Sequence, residues 1–465
     1  MTFRQQLRLA VTLAIPAILA QLSSIIMQYI DASMVGQLGT DPAASIGLVS
    51  TSLWLFWGTC SALTVGFCVL VSHKIGAKDY QSARDILRQA ITSTIIFSLV
   101  ITAIGLAIAQ PLPHWLGGGD EICGGATQYF LIYVLALPML SLNYLAGGML
   151  RSAGNMKTPS MLNILMCVFD VVFNFFLIFP TRNVTIGTWE LTLPGADLGI
   201  AGAALGTVLA EVLTATIMLY YLLCRQKGLA LRHTRGSFRP SIPLIKRVLH
   251  ISAPMTVEHA VICGAQIMIT VIVAPLGPVA IAANSFAVTA ESLCYMPGYG
   301  IGDAATTLVG QSHGAGRPDL VKRFGYISVG LGMAVMTVMG MILYIAAPAM
   351  MHIMTPVAEI SDLGSQILRI EAWAEPMFAA SIVAYGVFIG MGDTIIPACM
   401  NFSSIWIVRV PMAAFLATRI GLKGVWIAMA VELTFRGLIF LIRLFRGSWI
   451  KTGSTGRHKV NSIKQ

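Results

Sequence analysis

Long apolar stretches recur along the chain and are separated by short polar segments. The first, from Leu9 to Ile30, holds 22 uncharged residues, and about 20 apolar residues are enough for a helix to cross a bilayer. A membrane barrel would instead show weak alternation in segments of about ten residues. We therefore predict twelve membrane-spanning helices, at about 9–36, 43–71, 86–112, 126–149, 159–180, 198–224, 248–275, 279–310, 323–348, 366–391, 395–419 and 421–446.

The composition agrees with an integral membrane protein. Of the 465 residues 56% are hydrophobic and 11% are charged, whereas a typical soluble domain has about 25% charged residues. Most of the 30 Lys and Arg residues fall on one side of the membrane if both termini lie on that side. The positive-inside rule makes that side cytoplasmic. The net charge of +10 is thus interpreted as a topology signal, not as nucleic-acid binding, and the expected location is the plasma (bacterial inner) membrane.

The chain also contains an internal repeat at a fixed offset in sequence. Pro16 pairs with Pro254, and at the same offset "GNMKTPSMLN" from Gly154 pairs with "GDTIIPACMN" from Gly392. Six-helix repeats around a central cleft are a transporter architecture. We predict an all-α membrane protein with two pseudo-symmetric six-helix lobes around such a cleft. The expected parts are an N-terminal lobe at 1–224, a basic cytoplasmic linker at 225–247, a C-terminal lobe at 248–446 and a basic cytoplasmic tail at 447–465.

Three segments resemble the multidrug and toxic compound extrusion (MATE) family of cation-coupled efflux transporters. They are "IPAILAQLSSIIMQYIDASMVGQLG", "LRSAGNMKTP" and "ESLCYMPGYGIGDAATTLVGQSHGAGRPD", and they occur in this order on twelve spans. The resemblance implies a transporter rather than an enzyme, alternating between two lobes and exporting amphipathic, often cationic compounds in exchange for H⁺ or Na⁺. It implies no cofactor and no catalytic residue. We expect the partners to be small molecules and membrane lipids, and the chain to be a monomer.

A polar stripe on the first span indicates an ion-coupling site in the N-terminal lobe. Its residues recur at helical spacing on one face, and a second stripe follows the same rule on the fifth span. By this resemblance, Asp31 is the family's first-helix acid, fifteen residues after Pro16. The resemblance also implies that Pro16 bends the helix. Packing through an interhelical hydrogen bond is the alternative role for Asp31. The predicted ion-coupling residues are Asp31, Asp170, Asn174, Asn143 and Thr207.

The sequence does not distinguish H⁺ from Na⁺ as the coupling ion. Members of the family with an ion site in this lobe often have Asn and, four residues later, Asp on the fifth span. This chain has the reverse order, Asp170 and then Asn174. Carboxylate and amide oxygens suit either a proton or Na⁺, so Na⁺ is a possible ligand of Asp31, Asp170 and Asn174, and no other metal site is expected.

The C-terminal lobe offers a second, less regular set of acids. Glu258 lies only four residues after Pro254, whereas some relatives place this acid about two turns after the proline. Glu258 and Glu291 are therefore predicted either as a second acidic site or as structural residues. Glu432 and Arg436, four residues apart, are predicted to neutralise each other. The expected substrate cavity is lined by Met27, Gln28, Met34, Gln266, Asn284 and Tyr295.

Other functions fit the sequence less well. A flippase for a lipid-linked precursor, the main alternative, should have a basic cavity, and Arg409 is the principal cation inside a span. A membrane-embedded enzyme would need a nucleophile–base set or a metal motif such as HExxH, and neither these nor a metal-type CxxC pair occurs. A channel is disfavoured by the repeat architecture.

Overall fold

The structure, a computed structural model, describes residues 2–186, 189–232 and 234–452, and most of these residues are helical. The helices of the first repeat are α1 (Phe3–Gly36), α2 (Thr40–Gly76), α3 (Tyr80–Ile108), the short α4 (Leu112–Trp115), α5 (Asp120–Ser152), α6 (Lys157–Ile178) and α7 (Gly199–Cys224). Those of the second are α8 (Ile242–Val273), α9 (Pro278–Gly314), α10 (Pro318–Met354), α11 (Ala358–Ala372), α12 (Glu375–Gly390), α13 (Ile395–Ser403), α14 (Val410–Ile420), α15 (Leu422–Arg446) and the short α16 (Ser448–Thr452).

The predicted number and order of spans are confirmed within the described residues. Eleven helical segments are long and apolar enough to cross a membrane, and the pair α11 and α12, bent by 58° at a short break, makes a twelfth. The eleventh span joins α13 to α14 through a π-helical segment, Ser404–Arg409. Large apolar side chains such as Leu135, Ile345 and Trp373 are exposed, as expected where lipid chains cover a helix.

The backbone repeats with the same offset as the sequence. Both ends of α2 fall on both ends of α9 when Pro16 is aligned with Pro254, and the start of α3 falls on the start of α10. The turns before α2 and α9 contain Gly39 and Gly277, with φ of 117° and 101°, and a second matched pair is Gly154 and Gly392, with φ of 84° and 79°. Residues with a Cβ rarely adopt such angles, so glycine is retained at these helix ends.

The first repeat contains a β-hairpin that has no counterpart in the second repeat among the described residues. Strands β1 (Pro180–Ile186) and β2 (Trp189–Ala196) form an antiparallel hairpin between α6 and α7, which the sequence pattern did not predict. At its start the guanidinium of Arg182 lies 4.4 Å from the ring centre of Phe179 and 4.8 Å from that of Phe175. This cation–π contact joins the hairpin to the end of α6.

The chain divides into two compact units. The Asp31 unit comprises Ser23–Val71 and Tyr80–Leu249, and the Glu258 unit comprises Met1–Leu22, Ser72–Asp79 and His250–Gln465. The first part of α1, with Pro16, thus belongs to one unit and Asp31 to the other, although α1 is a single helix. The lobe boundaries and the linker predicted from the sequence, and the bend at Pro16, stay predictions.

The Glu258 unit has a large apolar core to which the first part of α1 is attached. Buried residues from α8 to α12, α14 and α15 form this core, among them Met336, Phe378 and Trp426. Gly300 of α9 lies against α1 just after Pro16: a Cβ at Gly300 would be 2.7 Å from the backbone nitrogen of Ile18. Such a close approach between two helix backbones requires a residue without a side chain.

Two repeat-related glycines make reciprocal contacts within the same unit. A Cβ at Gly76 would lie 1.9 Å from the carbonyl oxygen of Gln311, and one at Gly314 would lie 1.9 Å from that of His73. Since Gly76 corresponds to Gly314 and His73 to Gln311 at the repeat offset, each contact is the repeat image of the other. A hydrogen bond of 2.7 Å between His73 Nε2 and the Gly390 carbonyl adds to this junction.

Candidate ion site

Two aspartates and one asparagine meet in the Asp31 unit. Asn174 Nδ2 donates a hydrogen bond of 2.9 Å to Asp31 Oδ1 and another of 3.2 Å to Asp170 Oδ2. The Asn174 amide of α6 therefore bridges the carboxyl group of Asp31 on α1 and that of Asp170, one turn earlier on α6. The two carboxyl groups also interact directly with each other. The structure thus brings together the three residues on which the sequence-based ion site depended.

Local helix geometry explains this arrangement. Asp170 and Asn174 are four residues apart on α6, so their side chains project from the same face, and both are buried. Gly206 of α7 makes room for the amide, because a Cβ there would lie 1.9 Å from Asn174 Oδ1. The next residue, Thr207, makes a side-chain contact with Asp170. Helix α7 therefore both admits Asn174 and supplies a hydroxyl group beside the acids.

Acceptor oxygens outnumber donors around these acids. Asp170 Oδ1 and Asn174 Oδ1 are buried without a hydrogen-bond partner among the described residues, and the same holds for Asn143 Oδ1. Buried polar atoms are normally satisfied, and two adjacent carboxylates cannot both remain charged at low cost without a cation. The arrangement is therefore chemically suited to taking up a proton or a small hard cation.

The remaining polar groups of this site come from α5 and α7. Asn143 interacts with Glu211 of α7, which is half-buried. Tyr133 contacts Thr207, and its ring centre lies 4.9 Å from that of Tyr129. The two tyrosines were not predicted as site residues, because aromatic residues four apart on an apolar span are equally typical of packing.

The acid of α8 has a different environment in the Glu258 unit. Tyr385 Oη of α12 donates a hydrogen bond to Glu258 Oε2, and Asn401 Nδ2 of α13 donates one of 2.5 Å to Glu258 Oε1. Each carboxylate oxygen of Glu258 thus has a donor, in contrast to Asp170. The donors lie on helices far from α8 in sequence, so spacing on one helix could not reveal them.

Glu291 does not share this hydrogen-bonded group. It lies with Glu371 and Glu375, and one carboxylate oxygen from each of the three is within 4.8 Å of the others. The structure therefore assigns Glu258 and Glu291 different immediate neighbours, although Tyr299 interacts with both. This group was not predicted, since α9 is separated in sequence from α11 and α12 by the whole of α10.

The predicted pairing of Glu432 with Arg436 is confirmed. Arg436 Nε and Nη2 donate hydrogen bonds of 2.8 Å to the two carboxylate oxygens of Glu432. Ser404 Oγ, in the π-helical segment, donates a further hydrogen bond of 2.5 Å to the same carboxylate. A buried pair with this geometry leaves neither charge free for coupling.

The predicted cavity residues are distributed over both units. In the Asp31 unit Met27 is buried against Met166 and Cys167, while Met34 is half-buried and Gln28 is exposed. The others belong to the Glu258 unit and differ in their surroundings.

Gln266 is exposed in the Glu258 unit. Asn284 Oδ1 accepts a hydrogen bond of 2.9 Å from Trp426 Nε1, and Tyr295 packs edge-on against Phe378 with ring centres 5.5 Å apart. Asn284 and Tyr295 thus have packing partners within their own unit, and their role in binding substrate stays a prediction.

Comparison with known proteins places these features in a family. The MatE family model matches residues 16–176 and 254–415, one segment in each repeat. A relative named probable multidrug resistance protein NorM, from Thermotoga maritima, is 25% identical over 461 residues, covering 97% of this chain and 95% of the relative. The protein of the same name from Brucella suis is 25% identical over 456 residues, covering 94% and 93%.

A solved structure has the same fold. The Vibrio cholerae MATE transporter VcmN in its bent form gives a TM-score of 0.84 at 18% identity, covering 97% of this chain and 99% of that one. At this identity the likeness establishes the fold, the two-lobe arrangement of membrane helices.

Proposed function

The chain belongs to the MATE family of transporters. We propose that it is a cation-coupled antiporter that exports amphipathic, often cationic compounds. The coupling ion is H⁺ or Na⁺, and it acts at Asp31, Asp170 and Asn174. The relatives are named as multidrug resistance proteins, which supports a broad range of small molecules as substrates. No catalytic residue and no further cofactor enters the proposal.

The observation that carries the proposal is the bridging amide of Asn174. It supplies one donor to each carboxyl group, 2.9 and 3.2 Å away, and leaves acceptor oxygens of Asp170 and Asn174 unpaired among the described residues. A cation at these oxygens neutralises the cluster, which lowers the cost of burying it. A bound cationic substrate instead favours the ionised acids, so ion and substrate compete through the same charge, as antiport requires.

H⁺ and Na⁺ would use the unpaired oxygens in different ways. A proton needs one carboxyl group and a neighbouring acceptor, which the adjacent Asp31 and Asp170 provide. Na⁺ needs several oxygens around one point, and those of Asp170, Asn174 and Thr207 are candidates. Asp31, Asp170 and Asn174 lie together in spite of the reversed order of the last two. Both H⁺ and Na⁺ therefore fit the site, and transport measurements distinguish them.

The membrane location and orientation belong to the same proposal. We propose an inner-membrane protein with both termini in the cytoplasm, supported by the concentration of Lys and Arg in the segments on that side. Membrane lipids contact the exposed apolar side chains of the spans, and the chain works as a monomer.

The test measures efflux of a fluorescent cationic dye from proteoliposomes in which a pH gradient or a Na⁺ gradient is imposed separately. Asp31→Asn removes the charge with little change in size, and we expect it to abolish gradient-driven transport while the protein still inserts. Asp41→Asn, which changes an exposed acid at the start of α2, is the matched control and should transport normally.

Two outcomes would contradict the proposal. Wild-type transport that responds to neither gradient would exclude antiport with H⁺ or Na⁺. Gradient-driven transport that persists in Asp31→Asn would exclude Asp31 as the coupling acid. The gradient that does drive the wild-type protein identifies the ion.

A further inference from the structure

The linker between the two repeats, residues 225–247, carries a concentrated positive charge. It contains seven Lys and Arg and neither Asp nor Glu. All seven side chains are exposed, and none forms an ion pair within the described part of the chain. The seven are Arg225, Lys227, Arg232, Arg235, Arg239, Lys246 and Arg247. Since the linker joins two membrane spans, α7 and α8, these charges lie close to the membrane surface.

The first part of the linker folds back onto the Asp31 unit. The backbone N–H of Leu231 donates a hydrogen bond of 2.9 Å to the carbonyl oxygen of Leu223, near the end of α7. Gln226 Oε1 accepts one of 3.0 Å from Asn155 Nδ2, in the turn between α5 and α6. Leu229 is fully buried. This part of the linker is therefore packed against the ends of neighbouring helices.

The second part of the linker is fixed to the start of α3. Arg88, which is buried, donates a hydrogen bond of 2.6 Å to Thr234 Oγ1 and pairs with Asp85 at 2.7 Å. Gln89 Oε1 accepts hydrogen bonds of 2.9 and 3.0 Å from the backbone N–H and the hydroxyl group of Ser241. A topology signal depends on the number of charges and does not require them to be held in place. The linker is held in place.

An arginine of α3 beside this attachment lacks an acceptor. Arg84 lies one turn before Arg88, so the two side chains project from the same face. Arg84 Nε is buried with no hydrogen-bond partner among the described residues. Asp85, the only acid in the sequence of α3, is already paired with Arg88. A buried donor without an acceptor is costly, and a phosphate oxygen is a strong acceptor for arginine.

Apolar side chains accompany the charges. Phe238 and Ile242 are 50% and 73% exposed, and Leu249 of α8 is 46% exposed. Lys246 follows Ile242 by four residues and precedes Leu249 by three, so these three share one face of α8. At a membrane surface such apolar side chains enter the boundary between headgroups and acyl chains, while Lys and Arg reach the phosphates. A nucleic acid would meet the charges but leave Ile242 in water.

We propose that the linker and the start of α3 bind the headgroups of anionic phospholipids. The phosphates contact Arg84 and the exposed cations of the linker, and the acyl chains lie against Phe238 and Ile242. Clusters of about 4–8 Lys and Arg next to a membrane span are typical of anionic-lipid recognition. This surface goes beyond the proposed antiport and uses none of its coupling residues.

The experiment is native mass spectrometry of the purified full-length protein in a non-ionic detergent. Phosphatidylglycerol and phosphatidylcholine with matched acyl chains are titrated separately, and bound lipids are counted. We expect at least one phosphatidylglycerol to bind about tenfold or more tightly than phosphatidylcholine, since each Lys or Arg near an anionic group contributes about a factor of five. Glycerol phosphate at equal concentration should not compete, because it has no acyl chain.

Two triple variants separate the position of the charges from their number. The linker variant combines Arg232→Gln, Arg235→Gln and Arg239→Gln. The control variant removes three exposed cations from the Glu258 unit, through Arg4→Gln, Lys322→Gln and Arg323→Gln. The linker variant should weaken phosphatidylglycerol binding by more than about tenfold, whereas the control should bind like the wild type. Equal losses in both would show that only the number of charges matters.

A third variant tests the fixed position of the linker without changing its charge. Thr234→Val removes the hydroxyl group that accepts the hydrogen bond from Arg88. We expect it to weaken phosphatidylglycerol binding by about fivefold, because a hydrogen bond to a charged group is lost. Thr216→Val is the matched control: this exposed hydroxyl group of α7 donates to the Val212 carbonyl oxygen of its own helix, and lipid binding should not change.

Four results would overturn the proposal. They are equal binding of the two lipids to the wild-type protein, equal losses in the two triple variants, full binding in Thr234→Val, and competition by glycerol phosphate, which would indicate a site for free phosphate. Asp31→Asn should bind phosphatidylglycerol like the wild type. Lipid binding and antiport can therefore fail independently of each other.

Discussion

The contact between Gly206 and Asn174 allows a sharp test of the ion site without touching any of its polar groups. In Gly206→Ala the new Cβ would lie 1.9 Å from Asn174 Oδ1, and contacts under 3.0 Å essentially never occur at a real Cβ. The amide must therefore move by about 1.1 Å. A hydrogen bond of 2.9 Å to Asp31 does not survive such a shift, because an interaction at about 3.6 Å is no longer a hydrogen bond.

The size of the effect follows from these contacts. A hydrogen bond to a charged group contributes about 1.5–3 kcal/mol, and overpacking a buried position costs about 1–3 kcal/mol. Replacing Gly with Ala in a helix returns about 1 kcal/mol. We expect Gly206→Ala to lower the free energy of unfolding by about 2–4 kcal/mol. Losing the bond to Asp31 should reduce gradient-driven transport by about tenfold or more, since about 1.4 kcal/mol is a factor of ten.

The assay combines thermal unfolding in detergent with dye efflux in proteoliposomes. Gly124→Ala is the matched control, because a Cβ at Gly124 of α5 would have no atom within 4 Å, and this variant should unfold and transport like the wild type. In an Asn174→Ala background, Gly206→Ala should cost less than about 1 kcal/mol, because the amide that it displaces is gone. A Gly206→Ala protein with wild-type stability and wild-type transport would refute the reasoning.

Two further predictions concern stability. Gly76→Ala and Gly314→Ala each place a Cβ 1.9 Å from a backbone carbonyl oxygen, so both should lower the unfolding temperature strongly and to a similar degree. Gly36→Ala, with open space around it, is the control and should leave the unfolding temperature unchanged. Unequal effects of Gly76→Ala and Gly314→Ala would argue against the reciprocal contact. Glu432→Gln leaves the buried Arg436 without its counter-ion, so it should lower the free energy of unfolding by about 3–5 kcal/mol. Thermal unfolding measures this loss, and a loss below about 1 kcal/mol would contradict the buried pair.

The pattern along the chain was sufficient for the architecture. Apolar stretches of spanning length must form helices in lipid, because every backbone polar group has to be satisfied within the segment. The repeat could be recognised in the sequence because matched turns, such as those at Gly154 and Gly392, require a residue that tolerates positive φ. The shared position of Asp170 and Asn174 could be predicted because residues four apart on a helix lie on the same face.

Contacts between distant segments were decided only by the tertiary structure. The sequence predicted Asp31, Asp170 and Asn174 as one site, but not that a single amide bridges both acids, nor that Gly206 admits it. The partners of Glu258 and the neighbours of Glu291 could not be predicted either, since they depend on how separate helices pack. Periodicity describes one helix at a time, whereas the environment of a buried charge is set by every helix around it.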